Sequence, residues 1–131
     1  MFNKKKQPPI RSLIAQGSRI DGDLIFSDGL RIDGAVNGTV TANAAQPSIL
    51  VISETARLTG EIRADHVIIN GAVLGPVYAA VMLELQPKAR IDGDVHYKAL
   101  EMHHGAIIAG RLCPLADTEE KPTLKLAANN A

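Results

Sequence analysis

The heptapeptide SRIDGDL at residues 18–24 returns in nearly the same form as ARIDGDV at residues 89–95. In both copies an aliphatic residue stands on each side of a central Asp-Gly-Asp, in the pattern aliphatic-x-Gly-x-aliphatic. Such a pair can be a calcium loop, a phosphate-binding loop or two visible copies of a longer repeat. Because these interpretations belong to different classes of protein, the spacing of the other glycines decides between them.

The same pentad occurs six times along the chain. Successive central glycines are separated by 16, 22, 15, 18 and 17 residues, and the longest interval contains ANAAQPS, which is typical of a turn insertion. All twelve positions that flank the glycine-centred triplets are Ile, Leu or Val. A period near 17 residues with alternating aliphatic positions predicts a β-solenoid. The central glycines are Gly22, Gly38, Gly60, Gly75, Gly93 and Gly110.

We therefore predict an all-β, single-domain parallel β-helix of about six turns over residues 15–113, with three short strands in each turn. Alternation along a strand sends the glycine and both aliphatic residues of each pentad inward, with the polar residues between them facing solvent. The segment YAAVMLELQ at residues 78–86 lies inside a repeat and alternates, so it is predicted to be strand rather than helix. One internal ladder is predicted to contain Ile20, Val36, Leu58, Val73, Ile91 and Ile108.

Composition narrows the class of protein. A length of 131 residues suits one domain. A formal net charge of zero argues against a positive electrostatic field strong enough to attract nucleic acid. Aromatic residues make up 3% of the chain and tryptophan is absent, which favours a narrow, layered core. The single cysteine, Cys113, excludes an internal disulfide, and a packed or capping thiol is expected there rather than a nucleophile.

Two flanking segments fall outside the repeats. Residues 1–14 contain a basic and proline-rich stretch and are predicted to be a disordered leader. Residues 114–131 contain no pentad and little hydrophobic patterning, and they are predicted to be a disordered tail. No apolar run approaches the length needed to span a bilayer.

The Asp-Gly-Asp copies are poor candidates for a ligand site. Their carboxylates are hard oxygen ligands for calcium, but the tandem nine-residue pattern of repeat-type calcium sites is missing. A phosphate-binding loop needs a glycine loop that opens a helix, whereas these glycines sit within a strand pattern. We expect the motif to be architectural. The four carboxylates are those of Asp21, Asp23, Asp92 and Asp94.

Histidines give the best case for an enzyme. Left-handed β-helices include acyltransferases with a catalytic histidine and zinc hydratases with three histidine ligands. Measured from the preceding pentad glycine, the four histidines fall at +6, +3, +10 and +11, which are different columns of the repeat. The strict six-residue period of left-handed coils is also absent, so exposed surface histidines are expected. They are His66, His96, His103 and His104.

The chain resembles the bactofilins, a family of bacterial cytoskeletal proteins, over roughly residues 15–113. The resemblance rests on the pentads IDGDL, VNGTV, LTGEI, IDGDV and IAGRL, together with the two flanks. It implies a right-handed parallel β-helix and nucleotide-independent, non-polar filaments that act as a scaffold for cell-shape or envelope-synthesis proteins. It implies neither a catalytic residue nor a cofactor.

The opening MFNKKK also resembles the membrane-targeting leader of part of that family, a Met-Phe followed by basic residues. This implies a cytoplasmic protein, peripheral at the inner face of the cytoplasmic membrane, with an anionic membrane surface among its partners. Neither nucleic acid nor nucleotide is expected to bind. The residues predicted to target the membrane are Met1, Phe2, Lys4, Lys5 and Lys6.

The two ends of the predicted rod are the candidate site of self-association. A solenoid stays soluble as a monomer only if its terminal turns are capped, and neither end shows a polar or helical cap in the sequence. We therefore expect a homopolymer that grows end to end. A β-helical acyltransferase or hydratase, or a monomeric adaptor, remains the alternative. The predicted polymer contacts are Ile108 and Leu112 at one end and Leu13, Ile14, Leu24 and Phe26 at the other.

Overall fold

A computed structural model describes residues 9–115, and all regular secondary structure in that range is β-strand. In chain order the strands are β1 (Ile10–Ile14), β2 (Arg19–Asp21), β3 (Leu24–Phe26), β4 (Gly29–Ile32), β5 (Ala35–Asn37), β6 (Val40–Ala42), β7 (Ile49–Ile52), β8 (Arg57–Thr59), β9 (Ile62–Ile69), β10 (Ala72–Leu74), β11 (Val77–Leu85), β12 (Arg90–Asp92), β13 (Val95–Tyr97), β14 (Leu100–Met102), β15 (Ile107–Ala109) and β16 (Leu112–Pro114).

The strands form three faces, because each turn contributes one strand or half-strand to each face, and every pairing between turns is parallel. Face 1 contains β1, β4, β7, β14 and the second halves of β9 and β11. Face 2 contains β2, β5, β8, β10, β12 and β15. Face 3 contains β3, β6, β13, β16 and the first halves of β9 and β11. The predicted parallel β-helix of about six turns is confirmed.

Aliphatic ladders fill the interior. On face 2 the six predicted residues from Ile20 to Ile108 are register partners from turn to turn, which confirms the predicted ladder. Its central members are fully or almost fully buried, whereas the first and last are partly exposed, because within residues 9–115 each has a neighbouring turn on one side only. The corresponding ladder on face 3 consists of Leu24, Val40, Ile62, Val77, Val95 and Leu112.

The segment with helical appearance is a strand, as predicted. Strand β11 runs from face 3 to face 1 without a break, and its register against β9 shifts between Ala79 and Met82, where it turns the corner. The inward residues on either side of this shift, Val77 and Leu83 among them, are fully buried. Buried and exposed side chains therefore alternate along residues 78–86, with one irregularity at the corner, although the same sequence would also fit a helical period.

The pentad glycines lie between strands, so the prediction that they face inward within a strand is wrong. Each occupies the corner where the chain leaves face 2 for face 3. Gly60 shows the reason: its φ of 143° favours glycine, and a Cβ there would overlap the carbonyl oxygen of Gly38 in the preceding turn. The same overlap would arise at Gly110 against Gly93.

The Asp-Gly-Asp repeat has a structural role in joining turns. The Asp23 carboxylate accepts a hydrogen bond from the Thr39 backbone N–H at 3.0 Å, and the Asp94 carboxylate accepts one from the Arg111 N–H at 2.9 Å. In each case the donor lies one turn further along the chain. The aspartate after the glycine thus binds a backbone donor at the next corner, as the architectural interpretation expects.

The β-helix begins earlier in the chain than predicted. Strand β1 lies within the segment predicted to be a leader, and it pairs with β4 from Ile10 to Ile14. Burial of Ile14 in the core explains this, since it extends the face 1 ladder that contains Ile32. At the other end β16 includes Pro114, one residue beyond the predicted limit. The rest of the predicted leader and tail, residues 1–8 and 116–131, lies outside the described residues.

Candidate functional site

The last turn exposes side chains that belong to the interior ladders. Leu112 is 50% exposed, although its register partner Val95 in the preceding turn is 0% exposed. Met102, which follows Leu85 in a face 1 ladder, is 45% exposed, and Ile108 is partly exposed. These residues have inward positions and no later turn within the described chain to cover them. The C-terminal end of the β-helix is therefore an apolar surface.

Backbone donors accompany this apolar surface. At each earlier corner the N–H of the glycine and that of the aliphatic residue two positions later donate to carbonyls of the following turn. In the fifth turn, Gly93 N–H donates to Ala109 O at 3.0 Å and Val95 N–H to Arg111 O at 2.9 Å. Gly110 and Leu112 occupy the same positions in the last turn, with no described turn beyond them. The end can thus extend both the ladder and the hydrogen bonding.

The N-terminal end is less exposed. Ile14 and Phe26 are buried, at 9% and 7% exposure, and Leu24 is partly exposed. Leu13 is 58% exposed, but it is the register partner of Arg31 in the outward-facing positions of face 1. The six predicted contact residues are therefore not equivalent: Leu13 lies on the side of the rod, and Ile14 and Phe26 already pack in the core.

The first turn also carries a network of polar side chains. Arg19 donates to both carboxylate oxygens of Asp21, with the shortest distance 2.9 Å, and Asn37 Nδ2 donates to the same carboxylate at 2.8 Å. The hydrogen bond from Arg19, followed by that from Asn37, lowers the pKa of Asp21, while Asp21 raises the pKa of Arg19. Both groups are therefore charged at neutral pH and offset each other.

The residues predicted to target the membrane, Met1 to Lys6, lie outside the described residues. None of the described residues forms a helix long and apolar enough to cross a membrane.

The histidines do not assemble into the three-histidine zinc site of a hydratase within residues 9–115. His96 stacks on Tyr78 with ring centroids 4.3 Å apart, and Arg63 lies 4.0 Å from the centre of the same tyrosine ring. These three side chains are register neighbours on the outer surface of face 3, and the half-buried Cys113 follows His96 in register. These side chains form one surface column, in which Arg63, Tyr78 and His96 stack on one another.

A groove of about 370 Å³ opens beside this column, next to the turn insertion after β6. Its wall includes Arg63 and Tyr78, which contact each other, and Asp65, whose carboxylate accepts the backbone N–H of Ser48 at 3.2 Å. Two pairs of wall residues, Arg63 with Tyr78 and Asp65 with Ser48, are thus in contact. No histidine is among the described residues that line this groove.

One group of potential metal ligands does come together among the described residues, and the sequence interpretation did not find it. Glu84, Glu101 and His103 meet on the outer surface of face 1, across the last two turns. Only one histidine takes part. The separation of 17 residues between Glu84 and Glu101 matches one repeat, but face 1 contains no repeated glycine pentad that would have fixed their register.

Comparison with known proteins identifies the family of the chain. A scan against protein-family models matches residues 12–113 to the bactofilin family, described as polymer-forming cytoskeletal. No curated protein and no solved structure matches the sequence significantly. The family match covers most of the 131 residues and all but a few residues of the six-turn β-helix, so the chain belongs to the bactofilin family of polymer-forming cytoskeletal proteins.

Proposed function

We propose that this chain is a bacterial cytoskeletal scaffold whose β-helix stacks end to end into filaments without a nucleotide. The observation that carries the proposal is Leu112, which is half exposed at an inward ladder position that is fully buried one turn earlier. Membership of a polymer-forming family supports self-association. Ile108 in the last turn, and Leu24 at the start of the face 3 ladder, are the other proposed contacts at the two ends.

The energetics require both apolar burial and hydrogen bonds. A contact that covers about 100 Å² of apolar surface on each copy contributes roughly 5 kcal/mol. The loss of translational and rotational freedom on association costs a similar amount. Hydrogen bonds at the strand edges, including those open to Gly110 and Leu112, therefore supply the surplus. Zero formal net charge removes long-range repulsion between copies.

Within this proposal the chain is a structural protein rather than an enzyme, it requires no cofactor for assembly, and it lies in the cytoplasm at the inner face of the cytoplasmic membrane. The leader, Met1 and Phe2 with Lys4, Lys5 and Lys6, attaches the filament to anionic lipid. The attached filament recruits cell-shape or envelope-synthesis proteins. The amino-acid types in the leader and its resemblance to bactofilin leaders support the membrane step.

Electron microscopy of the purified chain in nucleotide-free buffer, with sedimentation velocity on the same sample, tests this function. We expect long filaments and a broad, fast-sedimenting distribution. A uniform trimer would favour the β-helical acyltransferase or hydratase alternative, and a stable monomer would favour an adaptor.

If the monomer assembled only after removal of residues 116–131, the segment after Pro114 would be a cap on the end. Assembly would then be regulated rather than constitutive.

A further inference from the structure

Three side chains with metal-binding atoms converge on face 1 at the C-terminal end of the β-helix. Glu84 lies in β11, Glu101 lies in β14, and His103 follows β14 directly. His103 Nε2 is 3.0 Å from Glu84 Oε2 and 3.4 Å from Glu101 Oε2. One ligand atom from each residue lies within 4.8 Å of the other two. Two adjacent turns thus present one nitrogen and two oxygen ligands to a common point.

The charge of this cluster is unusual for the molecule. Glu84 and Glu101 are direct register partners, so two carboxylates stand opposite each other on neighbouring parallel strands. Like charges in that relation destabilise a sheet. Among the other described glutamates, Glu61 is paired with Arg63 and Glu54 with Lys88, both permanent cations.

In the described part of the chain no Lys or Arg forms an ion pair with Glu84 or Glu101, and their shared partner is His103. A cation bound between the two carboxylates would therefore reduce their mutual repulsion.

We propose that Glu84, Glu101 and His103 bind a divalent transition-metal cation of the zinc type. Ligands about 2.0–2.2 Å from a tetrahedral zinc ion lie about 3.3–3.6 Å from one another. The His103 nitrogen lies 3.0 Å and 3.4 Å from the two carboxylate oxygens, close to that separation. The side chains are 26%, 54% and 39% exposed in that order, which leaves room for water as a fourth ligand. An imidazole ligand selects zinc-type ions over magnesium and calcium, which prefer oxygen.

Bound metal would join the last turn to the turn before it. Strand β14 pairs with β11 and has no described turn on its other side, so it lacks half the contacts of an inner strand. An ion that bridges Glu84 to Glu101 and His103 stabilises the folded last turn by mass action. That turn carries Leu112, but metal binding itself does not depend on assembly, and assembly does not require the metal.

Equilibrium dialysis against Zn²⁺, with the full chain free of any affinity tag, tests the site because it counts bound metal in monomers and filaments alike. We expect saturable binding near one zinc per chain that excess Mg²⁺ does not displace. His103→Gln and Glu101→Gln should each lower the affinity roughly tenfold or more. His104→Gln is the matched control: it removes the adjacent histidine, which lies outside the cluster, and it should bind zinc as the wild type does.

X-ray absorption of the bound zinc should show nitrogen and oxygen ligands. A sulfur ligand would place the ion at Cys113 and overturn the proposal. The proposal is also wrong if the wild type shows no saturable zinc binding, or if His103→Gln binds with unchanged affinity. These outcomes are independent of filament formation, so they separate failure of the metal site from failure of the scaffold function.

Discussion

Leu58 and Thr59 are neighbours in β8 with opposite surroundings. Leu58 is 0% exposed in the face 2 ladder, between Val36 and Val73, whereas Thr59 faces solvent. One step along a strand therefore separates a site that excludes water from one that tolerates charge. The pair gives the sharpest test of the register at a single position.

We expect Leu58→Asp to lower the free energy of unfolding by several kcal/mol, because it places a carboxylate without a partner in the dry interior. Thr59→Asp should change it by about 0.5 kcal/mol or less, since the added charge stays in water. Denaturant melts of the two variants at equal protein concentration measure the difference. Equal destabilisation would show that the assigned register of β8 is wrong.

The ladder residues could be predicted from the sequence because their signal is local. Each pentad carries its own glycine, and alternation within it fixes which neighbours point inward. The orientation of the glycines could not be predicted in the same way. It depends on the positive φ at the corner and on the carbonyl of the preceding turn, as at Gly60 and Gly38, and neither is a property of the pentad alone.

Among the elements, the insertion between β6 and β7 is joined to the next turn by a part-buried polar pair. Ser48 is 1% exposed where the insertion ends, its N–H donates to the Asp65 carboxylate, and its Oγ accepts the Asp65 N–H at 3.0 Å. This reciprocal pair links the insertion to β9 in the next turn. It aligns β7 with β9 despite the longer repeat.

Ser48→Ala should lower the free energy of unfolding by about 1 kcal/mol, because it removes the acceptor of the part-buried hydrogen bond from the Asp65 N–H. The matched change Ser18→Ala, at an exposed position, should have an effect below about 0.5 kcal/mol. Thermal or chemical unfolding of both variants checks this. A silent Ser48→Ala would mean that the insertion is positioned by other contacts.

Two features could not be predicted from the sequence at this scale, namely strand β1 and the Glu84–Glu101–His103 cluster. The residues of β1 contain no glycine pentad, so the spacing of the pentads could not reveal this strand. Only its pairing with β4 identifies it. The cluster lies on face 1, where turns of unequal length obscure which side chains meet. Tertiary register, rather than local pattern, brings these residues together.

At the scale of the filament, we expect many leaders together to bind the membrane, although each one binds weakly. Each lysine near an anionic surface contributes about 1 kcal/mol, and a buried Phe2 about 2 kcal/mol, so one leader is a weak anchor. A filament presents many leaders at once and binds more tightly than the single chain.

Deleting residues 2–6 should therefore leave filaments intact but release them from anionic vesicles in a flotation assay. Zwitterionic vesicles should bind neither form. Continued flotation of the deletion variant with anionic vesicles would rule out this leader as the anchor.

The filament interface is the remaining question, and Leu112 offers a matched comparison with Leu74. Both are leucines of similar exposure, 50% and 43%, but Leu112 lies in the terminal turn and Leu74 on the side of an inner turn. An arginine at Leu112 puts a charge on the stacking surface, whereas an arginine at Leu74 remains in solvent along the rod. Fold integrity can be monitored in both by the β signal in circular dichroism.

Electron microscopy and sedimentation of wild type, Leu112→Arg and Leu74→Arg, in the same nucleotide-free buffer, decide whether the terminal turns are the filament contact. We expect filaments from the wild type and from Leu74→Arg, and a folded, slowly sedimenting species from Leu112→Arg. Filaments of normal length from a well-folded Leu112→Arg would contradict end-to-end stacking through this turn and move the contact elsewhere, first to the N-terminal turn around Phe26.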